Sequence, residues 1–274
     1  SKAKVIGMTA TPKRQDNIDT FEYFGEPVYE YSLGQGIEDG FLAPYRINKI
    51  YTNIDSKGGL DVKQAIKEGA IVHASKDTEV KDWYKISELW RTLILPDRTE
   101  TIANHLADLL YTYGPEDKTM VFCITQEHAR NVAKHLQNRF SHLGSDYAVT
   151  IVSEEKGIEA MYNDFKDPEK KRPVVATTVD LLSTGVDVPS VKNVVFLKPV
   201  ASKIVFKQIV GRGSRINPLT GKYEFRIIDY SNATRLFDDW DKPPTPIIIE
   251  PTGERKYFLK GTVIHKETGN PIPN

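Results

Sequence analysis

The sequence contains a single cysteine, Cys123, among 274 residues, so no disulfide can form within the chain. Cys123 lies in the apolar run 120–124, which indicates a buried thiol rather than a nucleophile. No apolar run approaches the roughly 20 residues that a membrane-spanning helix requires. The first residues also lack the apolar region and cleavage site of a secretory signal. These absences favour a cytoplasmic protein without a membrane partner.

The chain also lacks an excess of charge of either sign, because Lys plus Arg and Asp plus Glu each number 37. Hydrophobic residues make up 39% and charged residues 27%, as in an ordinary globular protein. A neutral chain is not drawn to nucleic acid by its overall field, so any DNA binding must depend on a local patch.

Two motifs of ATP hydrolysis are missing. The phosphate-binding pattern Gly-Xaa4-Gly-Lys-Ser/Thr does not occur, since Gly221-Lys222-Tyr223 lacks both its spacing and its hydroxyl. An acidic Mg²⁺ box of the Asp-Glu-Ala-His type is absent too, and the six histidines form no metal-like cluster. We therefore expect no metal site and no ATP hydrolysis by this chain alone. Because it opens without methionine on a strand-like run at 5–8, we also expect a piece of a longer protein.

From residue 97 onward, apolar strand-like runs alternate with helical patterns. Strands are expected at 119–124, 147–152, 173–177, 191–197 and 223–229, and helices at 98–113, 126–140, 158–165 and 203–211. This alternation predicts an α/β fold with a parallel sheet covered by helices on both faces, and ligand loops at the carboxyl ends of the strands. An earlier strand is expected at 45–54, and residues 255–266 fit either a hairpin or partial disorder.

The most informative stretch is 208–215, Gln-Ile-Val-Gly-Arg-Gly-Ser-Arg. On a helix, Gln208, Arg212 and Arg215 would project from one face, because they lie at i, i+4 and i+7. Arginine carries a fixed fork of donors and keeps its charge, which suits it to the phosphates of a nucleotide. The two intervening glycines predict a helix end or a close approach of the backbone to a neighbour. A solvated basic turn is the alternative for such a pattern taken alone.

Two further loops after predicted strands carry candidate side chains. Thr125 follows the strand 119–124 and places a hydroxyl where a phosphate could bind. Gly185-Val186-Asp187 follows the strand 173–177. This tripeptide is also what an ordinary turn would use, with glycine at a positive φ and aspartate as a cap.

Taken together, these residues resemble the motifs of superfamily 2 helicases. Thr9-Ala10-Thr11-Pro12 resembles motif III, 120–125 motif IV, 176–189 motif V and 208–215 motif VI, and all four occur in the right order. The stretches 7–14, 22–27, 35–44 and 181–189 narrow the resemblance to the R (restriction, motor) subunit of type I restriction-modification enzymes, over roughly residues 4–240.

The resemblance implies the second RecA-like domain of a P-loop NTPase-type motor that is incomplete in this chain. Residues 1–12 would be the terminal strand of the first RecA-like domain, and 13–44 a connector. Residues 45–240 would form the second RecA-like domain, with an insertion at about 55–90, and 241–274 a Pro-rich tail.

The resemblance also implies how ATP is bound. In this family the first motor domain holds ATP and Mg²⁺, and arginines of the second domain reach across the cleft. Arg212 and Arg215 resemble these arginine fingers, and Gln208 resembles the residue that senses the γ-phosphate. Gly185 and Asp187 resemble the pair near the nucleotide ribose.

Four threonines complete the implied site. Thr125 and Thr177 resemble hydroxyls that grip the DNA backbone, and Thr9 and Thr11 resemble those that couple the ATP state to domain closure. The implied partners are double-stranded DNA and the specificity and methyltransferase subunits of a type I complex.

Other interpretations remain open at this point. Another superfamily 2 DNA translocase or repair helicase would share the motifs, and a non-catalytic nucleic-acid-binding or assembly module could share the fold. A free-standing small-molecule hydrolase is disfavoured because no acid–base pair or nucleophile is visible. The tail holds a lone Glu254-Arg255-Lys256, which without a partner aspartate is weak evidence for a nuclease.

Overall fold

A parallel β-sheet forms the centre of the protein. The computed structural model describes residues 5–8, 23–50, 59–67, 73–74, 81–85, 93–94, 96–153, 157–180, 187–237, 247–249, 255–257 and 263–265. The strands are β1 (Tyr45–Lys49), β2 (Gly59–Asp61), β3 (His73–Ala74), β4 (Trp83–Lys85), β5 (Leu93–Ile94), β6 (Thr119–Phe122), β7 (Ala148–Thr150), β8 (Val175–Thr178), β9 (Asn193–Phe196), β10 (Phe225–Asp229), β11 (Ile247–Ile249), β12 (Arg255–Tyr257) and β13 (Val263–His265).

The helices connect most of these strands. They are α1 (Leu33–Glu38), α2 (Val62–Lys67), α3 (Pro96–Tyr113), α4 (Gln126–Arg139), α5 (Ile158–Lys166) and α6 (Lys203–Gly213). Short 3₁₀ helices cover Ser141–Leu143, Pro218–Thr220 and Ala233–Leu236. Among the helices that the structure describes, none has the length and apolarity needed to cross a membrane.

Seven strands form the central sheet in the order β11-β1-β10-β9-β6-β8-β7. Every neighbouring pair in it is parallel. The other pairs, β2–β4, β3–β5 and β12–β13, are antiparallel. Of the two alternatives for 255–266, the antiparallel β12–β13 pair agrees with the hairpin.

Two hydrophobic layers sandwich the sheet, because successive strand residues point to opposite faces. Val121 and Val195 pack with α3 and α4 on one face. Phe122 and Phe196 pack with α5 and α6 on the other. Helices on both faces of a parallel sheet confirm the predicted α/β, RecA-like architecture.

Helix α6 follows directly from its sequence. The Ser202 hydroxyl caps its start by accepting from the Val205 N–H at 3.4 Å. A buried stripe at i, i+3, i+4 and i+7 then faces the sheet, formed by Phe206, Ile209, Val210 and Gly213. The helix runs two residues beyond the predicted end at 211, because Gly213 still packs on the sheet.

The expected strand at 1–12 is only partly within the described residues. Residues 5–8 are described and form no strand, with the side chains of Val5, Ile6 and Met8 exposed. Cys123 is fully buried as predicted, and burial raises the pKa of its thiol.

Candidate functional site

Three of the predicted site residues meet at one edge of the central sheet. Arg215 donates from Nη1 to Asp187 Oδ2. Arg212 lies at the end of α6, close enough for the charges of Arg215 and Asp187 to act on its pKa. We call Asp187, Arg212 and Arg215 the arginine cluster.

The arginine cluster lies at the amino edge of the sheet, and the expectation of a site at the carboxyl edge was wrong for these residues. Helix α6 starts after the carboxyl end of β9 and runs back along the sheet for 11 residues. At about 1.5 Å per residue this return covers roughly 16 Å, more than the length of a four-residue strand at about 3.3 Å per residue. Its last turn therefore lies beside the start of β9. Because β9 starts only six residues after Asp187 in the chain, Asp187 lies near the same edge.

Arg215 does not lie on the helix with Gln208 and Arg212, because α6 ends at Gly213. Instead it forms an antiparallel bridge with Leu42. The Ala43 N–H donates to the Ser214 carbonyl at 2.6 Å, next to this bridge. The predicted common helix face is thus correct for Gln208 and Arg212 and wrong for Arg215.

The segment 35–44, which resembles type I R subunits, supports this bridge. A capping box starts α1, in which Gln35 N–H donates to Ser32 Oγ at 3.1 Å and Ser32 N–H to Gln35 Oε1 at 2.8 Å. Leu42 packs so closely on Gly36 that a Cβ there would lie 2.7 Å from Leu42 Cδ1. The backbone beside Arg215 is therefore held by a segment far away in sequence.

The two glycines of the 208–215 stretch have different surroundings. A Cβ on Gly213 would lie 2.4 Å from Phe225 Cδ2 and 3.0 Å from Val194 Cγ2. Gly211 is exposed, and a Cβ there would meet nothing within 4 Å. Gly213 alone confirms the predicted close approach of the helix backbone.

The arginine cluster carries more positive than negative charge. Burial lowers the pKa of Arg212, and the neighbouring Arg215 acts in the same direction, while Asp187 and Tyr162 oppose them. Arg212 remains charged, since guanidinium groups do not lose their proton in proteins. The side chains of Arg215 and Asp187 are 52% and 45% exposed, so their ion pair stabilises the fold by less than about 1 kcal/mol.

Lys222 is a neighbour of this cluster that sequence reasoning missed. Its side chain is 0% exposed, and Nζ donates to the Pro189 carbonyl at 2.8 Å. Burial lowers the pKa of Lys222 to about 7, with Lys192 and Arg215 acting in the same direction and Asp187 against it. In the sequence it drew attention only as part of an incomplete phosphate-binding pattern.

Thr125 lies at the opposite, carboxyl edge of the sheet, directly after β6. It is exposed, and its hydroxyl caps α4 by accepting from the His128 N–H at 3.1 Å. The structure therefore places Thr125 away from the arginine cluster, on a surface open to a ligand.

Thr177 has a structural environment that contradicts its predicted contact with DNA. It is fully buried in β8, where its hydroxyl donates to the Ala129 carbonyl at 2.9 Å. Thr150 Oγ1 lies 3.2 Å from the same hydroxyl. The group serves to join β8 to α4 and β7 and has no access to a DNA backbone.

The remaining predicted site residues, Thr9, Thr11 and Gly185, lie outside the described residues, so their roles stay predictions. Within the ranges that the structure describes, no three His, Cys, Asp or Glu side chains lie together as metal ligands would.

Comparison with known proteins agrees with this architecture. Residues 101–217 match the family described as helicase conserved C-terminal domain. This match begins in α3 and ends just beyond Arg215, so it includes Gln208 and the whole arginine cluster.

Two of the relatives are endonuclease subunits of type I restriction enzymes. The chain is 38% identical over 243 residues to the type I restriction enzyme EcoAI endonuclease subunit of Escherichia coli, covering 87% of this chain and 29% of that protein. It is 29% identical over 263 residues to the EcoKI endonuclease subunit of Escherichia coli K12, covering 91% of this chain and 22% of that protein. The chain thus spans less than a third of the length of these two relatives.

A solved structure supports the same relationship. It is a fragment assigned to the HsdR subunit of a type I restriction enzyme from Vibrio vulnificus YJ016, 36% identical, with a TM-score of 0.70. The match covers 94% of this chain and 45% of that one. The chain therefore carries a helicase conserved C-terminal domain and is similar, over most of its own length, to a segment of type I restriction enzyme endonuclease subunits.

Proposed function

We propose that this chain is the second motor domain of a type I restriction enzyme R subunit and completes an ATPase site that drives translocation along DNA before cleavage. The observation that carries the proposal is the arginine cluster, in which two guanidinium groups lie at one sheet edge with Asp187 as an acidic neighbour. In the proposed arrangement, residues 45–240 form this domain and the preceding residues 1–44 lead into it from the first domain.

The arginine cluster suits the binding of a triphosphate. Arg212 and Arg215 provide forked donors and an excess of positive charge, which an anionic ligand would neutralise. As arginine fingers they would stabilise charge on the transferring phosphoryl group. Such a finger typically accelerates the reaction 10³–10⁵-fold, or about 4–7 kcal/mol.

The ion pair between Arg215 and Asp187 does not oppose this role. Because both side chains are about half exposed, separating them costs less than about 1 kcal/mol. That cost is several times smaller than the stabilisation that a finger provides. Arg215 can therefore leave Asp187 for a phosphate, and the released carboxylate can accept from ribose hydroxyls as proposed for Asp187 and Gly185.

Gln208 has the position expected of a residue that works with Arg212. It lies one helical turn earlier on α6 and is partly exposed, while the intervening Ile209 and Val210 face the sheet. We assign to Gln208 the sensing of the γ-phosphate, and the holding of ATP and Mg²⁺ mainly to the first motor domain.

DNA would be bound at the other edge of the sheet. Thr125 is exposed there and is the described threonine that we retain as a contact to the DNA backbone. Contacts to the backbone carry no sequence information, so the choice of target belongs to a separate specificity subunit. The proposed assembly therefore contains double-stranded DNA together with specificity and methyltransferase subunits.

Replacing the arginines in the complete R subunit tests the proposal. In the assembled enzyme, Arg212→Ala and Arg215→Ala should each reduce DNA-stimulated ATPase by about 10³-fold or more, because each removes one finger. Assembly on DNA, measured by gel shift, should stay close to that of the wild type.

A matched control is available on the opposite face of the sheet. Arg139 on α4 is 60% exposed and pairs with Asp108 at 3.1 Å, so Arg139→Ala removes a guanidinium without touching the arginine cluster. Its ATPase activity should be unchanged. Near-normal ATPase in both Arg212→Ala and Arg215→Ala would refute the finger assignment.

A further inference from the structure

Lys222 is a fully buried lysine that the proposed reaction does not use directly. It follows the 3₁₀ turn Pro218–Thr220, and its backbone pairs with Asn217 through two hydrogen bonds of 3.0 and 2.9 Å. Its side chain lies at the amino edge of the sheet, where Nζ donates to the Pro189 carbonyl at 2.8 Å. Burying an ammonium group is costly unless it is paired and hydrogen-bonded.

The position of Lys222 joins the segments that build the arginine cluster. Pro189 lies two residues after Asp187, so the hydrogen bond from Lys222 holds the segment that carries this carboxylate. Asn217, the backbone partner of Lys222, lies two residues after Arg215. One side chain therefore ties together the two short segments whose ends meet in the ion pair.

Phe225 completes the arrangement. Lys222 Nζ lies 6.0 Å from the centroid of the Phe225 ring, within the range of a cation–π contact. The same ring fills the space against Gly213, at the end of α6. The lysine thus contacts a ring that also sets the position of the helix carrying Arg212.

The charges around Lys222 explain why its ammonium group matters at this place. Lys192 and Arg215 repel it, and Asp187 attracts it. Lys192 is itself paired with Asp117 at 2.9 Å. Asp187 is the acidic group of the arginine cluster whose charge acts on Lys222. An uncharged side chain of the same length would fill the space but would leave the Pro189 carbonyl without this donor.

We propose that Lys222 is a positioning residue of the arginine cluster: through its hydrogen bond to Pro189 it holds the segment 187–189 where Asp187 meets Arg215. Its effect on ATP hydrolysis rests on the function proposed above. The hydrogen bond itself and its effect on segment 187–189 do not depend on that function.

Hydrogen–deuterium exchange tests the positioning in the complete R subunit. Lys222→Met keeps the length of the side chain and removes its donor. Peptides that cover 187–192 should exchange about tenfold faster in this variant, the factor expected from the loss of roughly one hydrogen bond. Peptides from α4 serve as an internal reference and should keep their wild-type rates.

A double-mutant cycle on DNA-stimulated ATPase tests whether Lys222 acts through Asp187. We expect Lys222→Met and Asp187→Asn each to lower kcat. The kcat of the double variant should be within about twofold of that of the less active single variant, because the two changes act on the same contact. Additive losses would show an independent, merely structural role for Lys222 and would overturn the proposal.

The remaining outcomes separate the positioning role from the function on which it rests. If Arg215→Ala retains ATPase while Lys222→Met still loosens 187–192, the ATPase role fails and the positioning stands. Wild-type exchange at 187–192 in Lys222→Met refutes the positioning whatever the ATPase shows. If Lys222→Met loosens the whole domain, Lys222→Gln is compared with it, because glutamine keeps a polar side chain but is one bond shorter and withdraws its donor from the Pro189 carbonyl. Loosening confined to 187–192 in Lys222→Gln supports the proposal, and uniform loosening of all peptides overturns it.

Discussion

Burial decides which of the predicted site residues can reach a ligand. Thr177 and Thr125 were assigned the same role from the sequence, and the structure separates them. The Thr177 hydroxyl is fully buried and bonded within the sheet, whereas Thr125 is exposed at the end of β6. Arg215 and Asp187 are about half exposed, so a ligand can reach both side chains.

Lys222 gives a prediction for the pH dependence of stability. Its pKa is about 7 in the folded chain, below the ordinary value of 10.5 that applies when the chain is unfolded. Between these two pH values the unfolded chain binds more protons, so the free energy of unfolding rises with pH from this group. The rise is at most about 1.4 kcal/mol per pH unit.

Chemical denaturation of the chain and its Lys222→Met variant, measured from pH 6.5 to 10, checks this pH dependence of stability. The stability of the wild type relative to the variant should increase with pH, because the variant has no ammonium group to discharge. A constant difference across this range would contradict a lowered pKa for Lys222.

Helix α6 shows what the sequence could and could not predict at the level of an element. The period of Phe206, Ile209 and Val210 predicted the helix and its buried face correctly. The bridge between Leu42 and Arg215 could not be predicted in the same way, since it joins residues 173 positions apart and depends on tertiary contacts. The location at the amino edge could have been inferred, because a helix that follows a strand runs back along it.

The two glycines of α6 provide a matched pair for mutation. Gly213→Ala places a methyl group 2.4 Å from Phe225 Cδ2, and it should destabilise the chain by about 1–3 kcal/mol because core and backbone must shift. Gly211→Ala meets open space on an exposed helical surface and should stabilise by up to about 1 kcal/mol.

Denaturant unfolding of both variants measures the difference. The contrast depends only on the surroundings of each glycine, since both substitutions add the same methyl group to the same helix. Equal effects of the two substitutions would contradict the close packing of α6 against the sheet.

At the scale of the whole molecule, the sheet separates two surfaces. The arginine cluster lies at its amino edge and Thr125 at its carboxyl edge, about 13 Å apart along a four-residue strand such as β6. The alternation of strands and helices allowed the α/β fold to be predicted almost completely from residue 97 onward. The assignment of residues to edges was less successful, because local patterns do not report on the three-dimensional course of the connections.

This separation gives the proposed motor a simple division of labour. Nucleotide would be contacted at one edge by the arginine cluster, and the DNA backbone at the other by Thr125. A parallel sheet with both faces buried connects the two. Movement of the domain in response to ATP would therefore shift the DNA contact as a whole.

Binding of a transition-state analogue tests the central claim most directly. In the complete R subunit on DNA, Arg212→Ala should weaken the binding of ADP–aluminium fluoride by about 100-fold or more and that of a non-hydrolysable ATP analogue by less than about threefold. The difference is expected because a finger contributes mainly in the transition state. Equal weakening of both ligands, or no weakening of either, would contradict the assignment of the arginine cluster to ATP hydrolysis.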